Sequence, residues 1–200
     1  DPDLDPAQRA TLYCDAGAAA ISVLTEHDYF SGSIEDLTAA TRIARPANVP
    51  VLRKDFIVDE YQIHEARSAG ADCILLIIAI LDPSQYADLF AISTSMGMDV
   101  LVEVFDEPEL DIAMEIEPTI VGVNNRNLKT LKTSLSVFEQ LAKKIPPDKI
   151  KVAESGMTNS TDVKRMGLAG AKAVLVGESL MRAGGNVGDL AREMAEIQVS

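Results

Sequence analysis

The most constraining feature of this 200-residue chain is a regular alternation of short apolar runs with longer amphipathic stretches. Seven apolar runs recur along it, at 18–24, 49–52, 73–80, 100–104, 120–123, 150–153 and 173–176. Helical patterns lie between them, with start signals such as Ser33 and Asp82-Pro83 and stop signals such as Gly70 and Gly97. Repeated strand–helix units of this kind predict parallel strands joined by right-handed crossovers.

The repetition has no hinge and no linker, which favours one domain over residues 1–200 and a TIM-type (β/α)8 barrel of the α/β class. A doubly wound sheet is the alternative, but it needs a glycine-rich phosphate loop after its first strand, and no G-x-G-x-x-G occurs. Residues 1–6 are predicted to be a loop, followed by a helix at 7–16. Because a barrel needs eight strands and only seven are found, we expect strands two to eight of the barrel in this chain.

Composition narrows the possible partners. The net charge of −13 argues against nucleic acid and anionic membranes as partners, although a cleft can still hold a small anion. Cys14 and Cys73 lie in apolar stretches and are expected to be buried, reduced thiols. Neither histidine has metal-ligand spacing to other residues, and no apolar run is long enough to span a bilayer. The sequence therefore favours a cytoplasmic enzyme without a metal.

Polar residues at strand ends are the candidates for chemistry, since barrel enzymes work at that face. Lys54 follows one apolar run, and Glu103 sits inside another, where a carboxylate is costly to bury unless it has a role. For Lys54 the structural alternative is plain surface charge, and for Glu103 it is a strand-end salt bridge. Residues 124–127 supply amides and a guanidinium at another strand end, and asparagines that only form a turn are the alternative there. Small residues follow the last two strands, where this fold most often holds phosphate, and these are Ser155, Gly156 and Gly177 with Glu178.

These clusters, in this order, carry a family resemblance. The matching segments are Ser22-Val23-Leu24-Thr25-Glu26, Tyr29-Phe30-Ser31-Gly32-Ser33, Leu52-Arg53-Lys54-Asp55-Phe56, Leu101-Val102-Glu103-Val104, Gly122-Val123-Asn124-Asn125-Arg126-Asn127-Leu128, Val152-Ala153-Glu154-Ser155-Gly156 and Leu175-Val176-Gly177-Glu178-Ser179-Leu180-Met181. The chain resembles indole-3-glycerol-phosphate synthase of tryptophan biosynthesis over essentially its whole length.

The resemblance implies a lyase that closes a ring. It would convert 1-(2-carboxyphenylamino)-1-deoxyribulose 5-phosphate to indole-3-glycerol phosphate, carbon dioxide and water, without a metal or organic cofactor. Lys54 resembles the general acid, with a pKa that can fall in a partly dry pocket, and Glu103 resembles the second acid–base group. Asn124 and Glu154 resemble residues that orient the substrate. Other enzymes of the tryptophan pathway are candidate partners.

Further positions match groups that bind substrate. Arg126 resembles a partner for the substrate carboxylate and Phe30 an aromatic wall for the substrate ring. Ser155, Gly156, Gly177 and Glu178 resemble the phosphate cradle, with Glu178 expected to give its backbone N–H while its carboxylate turns away.

The family pattern also includes a first strand with a Glu and a Lys, a Ser-Pro-Ser loop and a leading helix, none of which matches this chain. We therefore expect exposed edges on the second and eighth strands, low stability of the chain alone, and little or no activity without the missing strand.

Two other functions stay open at this point. Another phosphate-binding barrel, such as phosphoribosylanthranilate isomerase, would fit the phosphate loops, but the pairing of Lys54 with Glu103 argues against it. A non-catalytic truncated barrel that binds the sugar phosphate or a partner subunit would fit the missing strand.

Overall fold

The structure, a computed structural model, describes residues 5–197 and contains seven strands close to the predicted positions. They are β1 (Ile21–Leu24), β2 (Val51–Lys54), β3 (Cys73–Ile77), β4 (Asp99–Val104), β5 (Ile120–Asn124), β6 (Ile150–Glu154) and β7 (Ala173–Leu175). The third strand is shorter than predicted, because a 3-10 turn at Ile78–Ile80 follows it. The loop predicted for residues 1–6 lies mostly outside the described residues.

The strands form one sheet in sequence order, and every neighbouring pair is parallel. A doubly wound sheet would reverse its strand order partway along, so the alternative architecture is wrong. The chain has the predicted barrel architecture, with seven of its strands in a nearly closed ring.

Helices follow the strands and surround the sheet. Within the described residues they are α1 (Pro6–Asp15), α2 (Ile34–Ala44), α3 (Glu60–Ser68), α4 (Pro83–Ser95), α5 (Glu107–Met114), α6 (Ser136–Leu141), α7 (Ser160–Leu168), α8 (Glu178–Arg182) and α9 (Val187–Ala195). Side-chain caps fix several starts: Asp59 accepts a hydrogen bond from the backbone N–H of Tyr61, and Gln62 completes a capping box at α3. Proline in the first turn of α4 and α5 has no N–H to leave unpaired.

The alternation of side chains along each strand divides the core into two parts. One set of residues faces the helices and forms the larger core, which includes Leu37, Ile74, Val102 and Phe138. The other set faces the barrel interior, and its buried members are Leu52, Leu75, Ile77, Leu101 and Val152. Any residue two positions beyond a member of this inner set also points inward, which decides where the polar strand ends go.

The ring of strands is unpaired at one place among the described residues, where β1 pairs with β2 alone and β7 with β6 alone. Leu24 is in register with Lys54 on the inward side of the sheet, yet it is 38% exposed. On the outside, α1 packs against both α2 and α9. The helices therefore meet across a position where the two strand edges are open.

Two smaller predictions concern burial and membranes. Both cysteines are free thiols, but each is half-buried rather than buried as predicted, because Cys14 lies on the partly exposed helix α1 and Cys73 at the start of β3. Over residues 5–197, no helix combines the length and the apolar character needed to cross a bilayer.

Candidate active site

Four predicted residues converge at the carboxyl ends of the strands. Lys54, Asn124 and Glu154 end β2, β5 and β6, while Glu103 lies one residue before the end of β4. Lys54, Glu103 and Glu154 each lie two positions beyond an inward-facing apolar residue. Because side chains alternate between the two faces of a strand, all three point into the mouth of the barrel. The strands themselves, and not the loops that follow them, position the cluster.

Hydrogen bonds and ion pairs connect the four side chains. Lys54 Nζ is 3.4 Å from Glu103 Oε2 and 3.6 Å from Glu154 Oε2. Asn124 donates from Nδ2 to Glu103 Oε1 at 2.9 Å, and its own Oδ1 accepts the backbone N–H of Arg126 at 3.0 Å. One ammonium group thus lies between two buried carboxyl groups, one of which an amide holds in orientation.

The electrostatics of Lys54 differ from the sequence prediction. Burial favours a lower pKa for its ammonium group, but the neighbouring Glu154 and Glu103 carboxylates outweigh burial and the pKa is raised above its ordinary value. The predicted fall of the Lys54 pKa is therefore wrong, because two carboxyl groups from other strands contact the same nitrogen. Lys54 carries a proton at neutral pH.

Glu154 is the most perturbed group of the cluster. Its side chain is 1% exposed, and neither carboxyl oxygen has a hydrogen-bond partner among the described residues. Burial, followed by the charge of Glu103, raises the pKa of Glu154 to about 8, against the opposing effect of Lys54. A single ammonium group neutralises one carboxylate, so Glu154 holds a proton near neutral pH and can donate a hydrogen bond from this position.

Phe30 lies at the rim, on the loop after β1. Its ring centroid is 6.5 Å from that of Phe56, and both rings are partly exposed. The carboxylate of Glu26 fixes this loop by accepting the backbone N–H groups of Asp28, Tyr29 and Phe30. Phe30 thus has an aromatic neighbour in Phe56, which sequence reasoning did not single out, and its role as an aromatic wall stays a prediction.

Arg126 and Glu178 form an ion pair across the end of the barrel. Glu178 also pairs with Arg182 at 2.8 Å, and its pKa is lowered by hydrogen bonding to Arg126 and by the charge of Arg182. The expectation that the Glu178 carboxylate turns away is wrong, because the two arginines draw it toward Arg126. Arg126 is therefore paired with a carboxylate that is itself half-exposed.

The predicted phosphate residues lie around the ends of β6 and β7. Ser155 and Gly156 both have left-handed backbone conformations, with φ of 63° and 84°. A Cβ on Gly156 would lie 2.6 Å from Thr133 Cγ2, which shows how closely the loop after β5 packs there. Arg126, Gly156 and Glu178 line one open cavity of about 550 Å³, together with Ser179 and Arg182.

Asn125 supports this region from below, although sequence reasoning grouped it only with turn residues. It is fully buried, donates from Nδ2 to the Ser155 carbonyl at 3.1 Å, and accepts the Phe138 N–H at 3.0 Å. It thereby ties the strained Ser155 to the start of α6. The sequence feature that could have identified Asn125 is its position directly after Asn124, because alternation along the strand places its amide on the opposite face, toward the helices.

Arg53 is the other residue whose role the sequence did not reveal. It points away from Lys54, toward the helices, and its guanidinium donates to Thr25 Oγ1 at 3.0 Å and to the Gln62 carbonyl at 2.6 Å. It also pairs with Asp55 at 3.0 Å and Glu65 at 2.8 Å. Of the charged cluster 53–55, Lys54 alone enters the barrel, and Arg53 joins the ends of β1 and β2 to α3.

Comparisons with known proteins agree with this architecture. The fold is similar to that of the solved structure of 3-hexulose-6-phosphate synthase from Salmonella typhimurium, with a TM-score of 0.77, 14% identity, and coverage of 97% of this chain and 93% of that one. At this identity the likeness shows the fold alone.

Relatives by sequence are much more similar. The chain is 50% identical over 181 residues to indole-3-glycerol phosphate synthase of Albidiferax ferrireducens, covering 90% of this chain and 67% of the relative. It is also 50% identical over 194 residues to the Rhodospirillum rubrum synthase, covering 96% and 72%. The profile of the family described as indole-3-glycerol phosphate synthase matches residues 1–194. With this match, and with relatives of such identity, the chain belongs to the indole-3-glycerol phosphate synthase family.

Proposed function

We propose that this chain provides the catalytic face of an indole-3-glycerol phosphate synthase. The reaction is the conversion of 1-(2-carboxyphenylamino)-1-deoxyribulose 5-phosphate to indole-3-glycerol phosphate, carbon dioxide and water, as a carboxy-lyase step of tryptophan biosynthesis. The observation that carries the proposal is the Lys54 ammonium group, placed between the carboxyl groups of Glu103 and Glu154 at the barrel mouth. This arrangement offers one ammonium group and two carboxyl groups within reach of one substrate.

The first step forms the carbon–carbon bond. The ring carbon that bears the carboxylate attacks the ketone carbon, the carbonyl π electrons move to oxygen, and Lys54 donates a proton to that oxygen. A raised pKa keeps Lys54 fully protonated before the step and favours its electrostatic effect on the developing oxyanion. Arg126 pairs with the substrate carboxylate until it leaves as carbon dioxide, and the electron pair of the broken carbon–carbon bond stays on the ring and restores its aromaticity.

The second step removes water. The bond from carbon to the new hydroxyl group breaks and the hydroxyl leaves as water with a proton from Glu154, while Glu103 accepts a proton from a substrate carbon so that the indole double bond forms. Asn124 holds Glu103 in orientation, and the protonated Glu154 donates a hydrogen bond to a substrate oxygen. Phe30 packs against the aromatic ring, and Ser155, Gly156, Gly177 and the Glu178 backbone N–H bind the phosphate.

An assay with the carboxyphenylamino-deoxyribulose phosphate tests the function directly. Formation of indole-3-glycerol phosphate is followed by absorbance, and binding is followed separately by titrating the protein into the fluorescent substrate. We expect saturable binding by the chain and ring closure once the barrel is complete. A folded chain that neither binds the substrate nor turns it over, with an eighth strand supplied, would contradict the proposal.

The role of Arg126 gives a prediction about affinity. Removing its guanidinium in Arg126→Met should raise the substrate Kd by about 10- to 100-fold, because hydrogen bonds to a charged group contribute about 1.5–3 kcal/mol. Arg165→Met is the matched control, since Arg165 forms a similar half-exposed ion pair with Glu139 on the outside of the barrel. The measurement is the fluorescence titration, and equal Kd values for the two variants would exclude Arg126 from the carboxylate site.

The open edges of β1 and β7 lead to a second prediction. We propose that an eighth strand pairs between them and is required for full activity, because the resemblance places a Glu and a Lys of the site on that strand. A peptide from the part of the Rhodospirillum rubrum relative that lies outside the matched region is the natural probe. We expect it to raise the Tm and to restore turnover, whereas a peptide of the same composition in scrambled order should do neither. No change in either quantity would contradict this role for the edges.

The two alternatives make different predictions for the same assays. An isomerase would convert phosphoribosylanthranilate. The cluster of Lys54 with two buried carboxyl groups gives no reason to expect that activity. A non-catalytic barrel would bind the substrate without turnover even with the eighth strand in place.

A further inference from the structure

Gly122 lies in the middle of β5, on the inward face, directly beside Glu103 of β4 and Val152 of β6 in the sheet register. A Cβ built on this glycine would overlap Glu154 Oε1, and it would lie 3.1 Å from the Glu154 carboxyl carbon and 3.0 Å from Leu101 Cδ1. The carboxyl group of Glu154 thus occupies the space in which any other residue at position 122 would place its side chain.

We infer that Gly122 is a positioning residue for Glu154: the missing side chain opens the recess that holds the Glu154 carboxyl group between Lys54 and Gly122. Gly122 is needed here for the space that its missing side chain leaves and not for its backbone conformation, because its φ lies outside the left-handed region and its backbone is that of an ordinary strand. Alanine would fit that backbone without strain and even suit a strand better. Any cost of alanine here therefore reports the close contacts with Glu154 and Leu101, and a second change at Glu154 separates the two.

The recess explains how a carboxyl group without a hydrogen bond among the described residues can be fully buried. Its Oε1 atom would have to move by roughly 1.5 Å to reach the ordinary contact range of 3.4–4 Å from a new methyl group. Lys54 Nζ, at 3.6 Å, and the Glu103 carboxyl group occupy the other side, so Glu154 would have to turn toward the solvent. A single methyl group at position 122 would thereby remove one of the two carboxyl groups from Lys54.

A set of four variants tests this inference on stability, without depending on turnover. We expect Gly122→Ala to lower the Tm by about 2–12 °C, the range that overpacking produces in a chain of this size. Glu154→Asp alone should also lower the Tm, because the shorter side chain leaves the recess empty. In the double variant the shorter carboxyl group and the new methyl group fit together, so Glu154→Asp should raise the Tm of Gly122→Ala.

The matched comparison is Gly122→Ala with Glu154→Gln, which keeps the full side-chain length and should give no such rescue. Additive effects of Gly122→Ala and Glu154→Asp, or equal rescue by Glu154→Gln, would overturn the inference. Any effect of Glu154 on the substrate rests on the proposed function, and it is measured separately, as kcat/KM. If the completed barrel is active, Gly122→Ala should lower kcat/KM at least about tenfold and Glu154→Asp should recover part of it. Rescue of the Tm without any turnover in the unchanged protein would leave the role of Gly122 standing and contradict the proposed function alone.

Discussion

Turnover of the carboxyphenylamino-deoxyribulose phosphate should fall by about three orders of magnitude in Lys54→Met, measured with the eighth strand supplied. General acid catalysis contributes about 10²- to 10⁴-fold, and stabilising an oxyanion contributes a similar factor. Lys54 performs both tasks in the proposed mechanism, since it is the cation in contact with both carboxyl groups of the cluster. The substrate should still bind, because Arg126 and the phosphate loops are untouched.

Two further variants separate charge from proton transfer. Lys54→Arg keeps a cation between Glu103 and Glu154, but a guanidinium group does not release its proton, so turnover should remain as low as in Lys54→Met. Lys164→Met, on the exposed face of α7, is the control for loss of a lysine and should leave turnover unchanged. Turnover in Lys54→Arg close to that of the unchanged protein would show that charge alone suffices and would exclude Lys54 as the proton donor.

The sequence was sufficient to predict the strands and the main catalytic candidates. Buried parallel strands need apolar residues on both faces, so each strand stood out as a continuous run, and a charge near the end of such a run stood out in turn. Lys54 and Glu103 were found in this way and Glu154 through the family resemblance, and the structure brings the three together.

Interactions between distant segments could not be predicted in the same way. The direction of the Lys54 pKa depends on carboxyl groups that lie 49 and 100 residues away in sequence, and the partner of Arg126 is 52 residues away. Gly122 gave no signal, because a glycine in a strand shows only that a side chain is missing and not which group fills the space. Periodicity indicates which face a side chain occupies, whereas its charge state depends on all the strands that share that face.

The protonation of Glu154 leads to the second large effect, which concerns stability. The pKa of Glu154 is about 8 in the folded chain, above the ordinary value of 4.5 expected for the unfolded chain. The folded state therefore keeps a proton that the unfolded state releases. The stabilisation from this proton is complete below the pKa that Glu154 has in the unfolded chain. It is lost as the pH rises through the pKa that Glu154 has in the folded chain. Relative to Glu154→Gln, the free energy of unfolding of the unchanged chain should fall by up to about 4 kcal/mol between pH 5 and pH 8, at about 1.4 kcal/mol per pH unit.

Urea unfolding of both proteins at each pH unit from 5 to 8 measures this difference. The other groups that face Glu154 are Lys54, Glu103 and Cys73, and both proteins carry them, so the comparison isolates the replacement of the Glu154 carboxyl group. Glu139→Gln is the control on α6, because hydrogen bonding to Arg165 lowers the pKa of the half-exposed Glu139 and its contribution is lost only at acid pH. A difference between the unchanged chain and Glu154→Gln that stays constant from pH 5 to 8 would mean that Glu154 is ionised throughout. It could then accept hydrogen bonds from the substrate but not donate them, and the dehydration step would need its proton from Lys54.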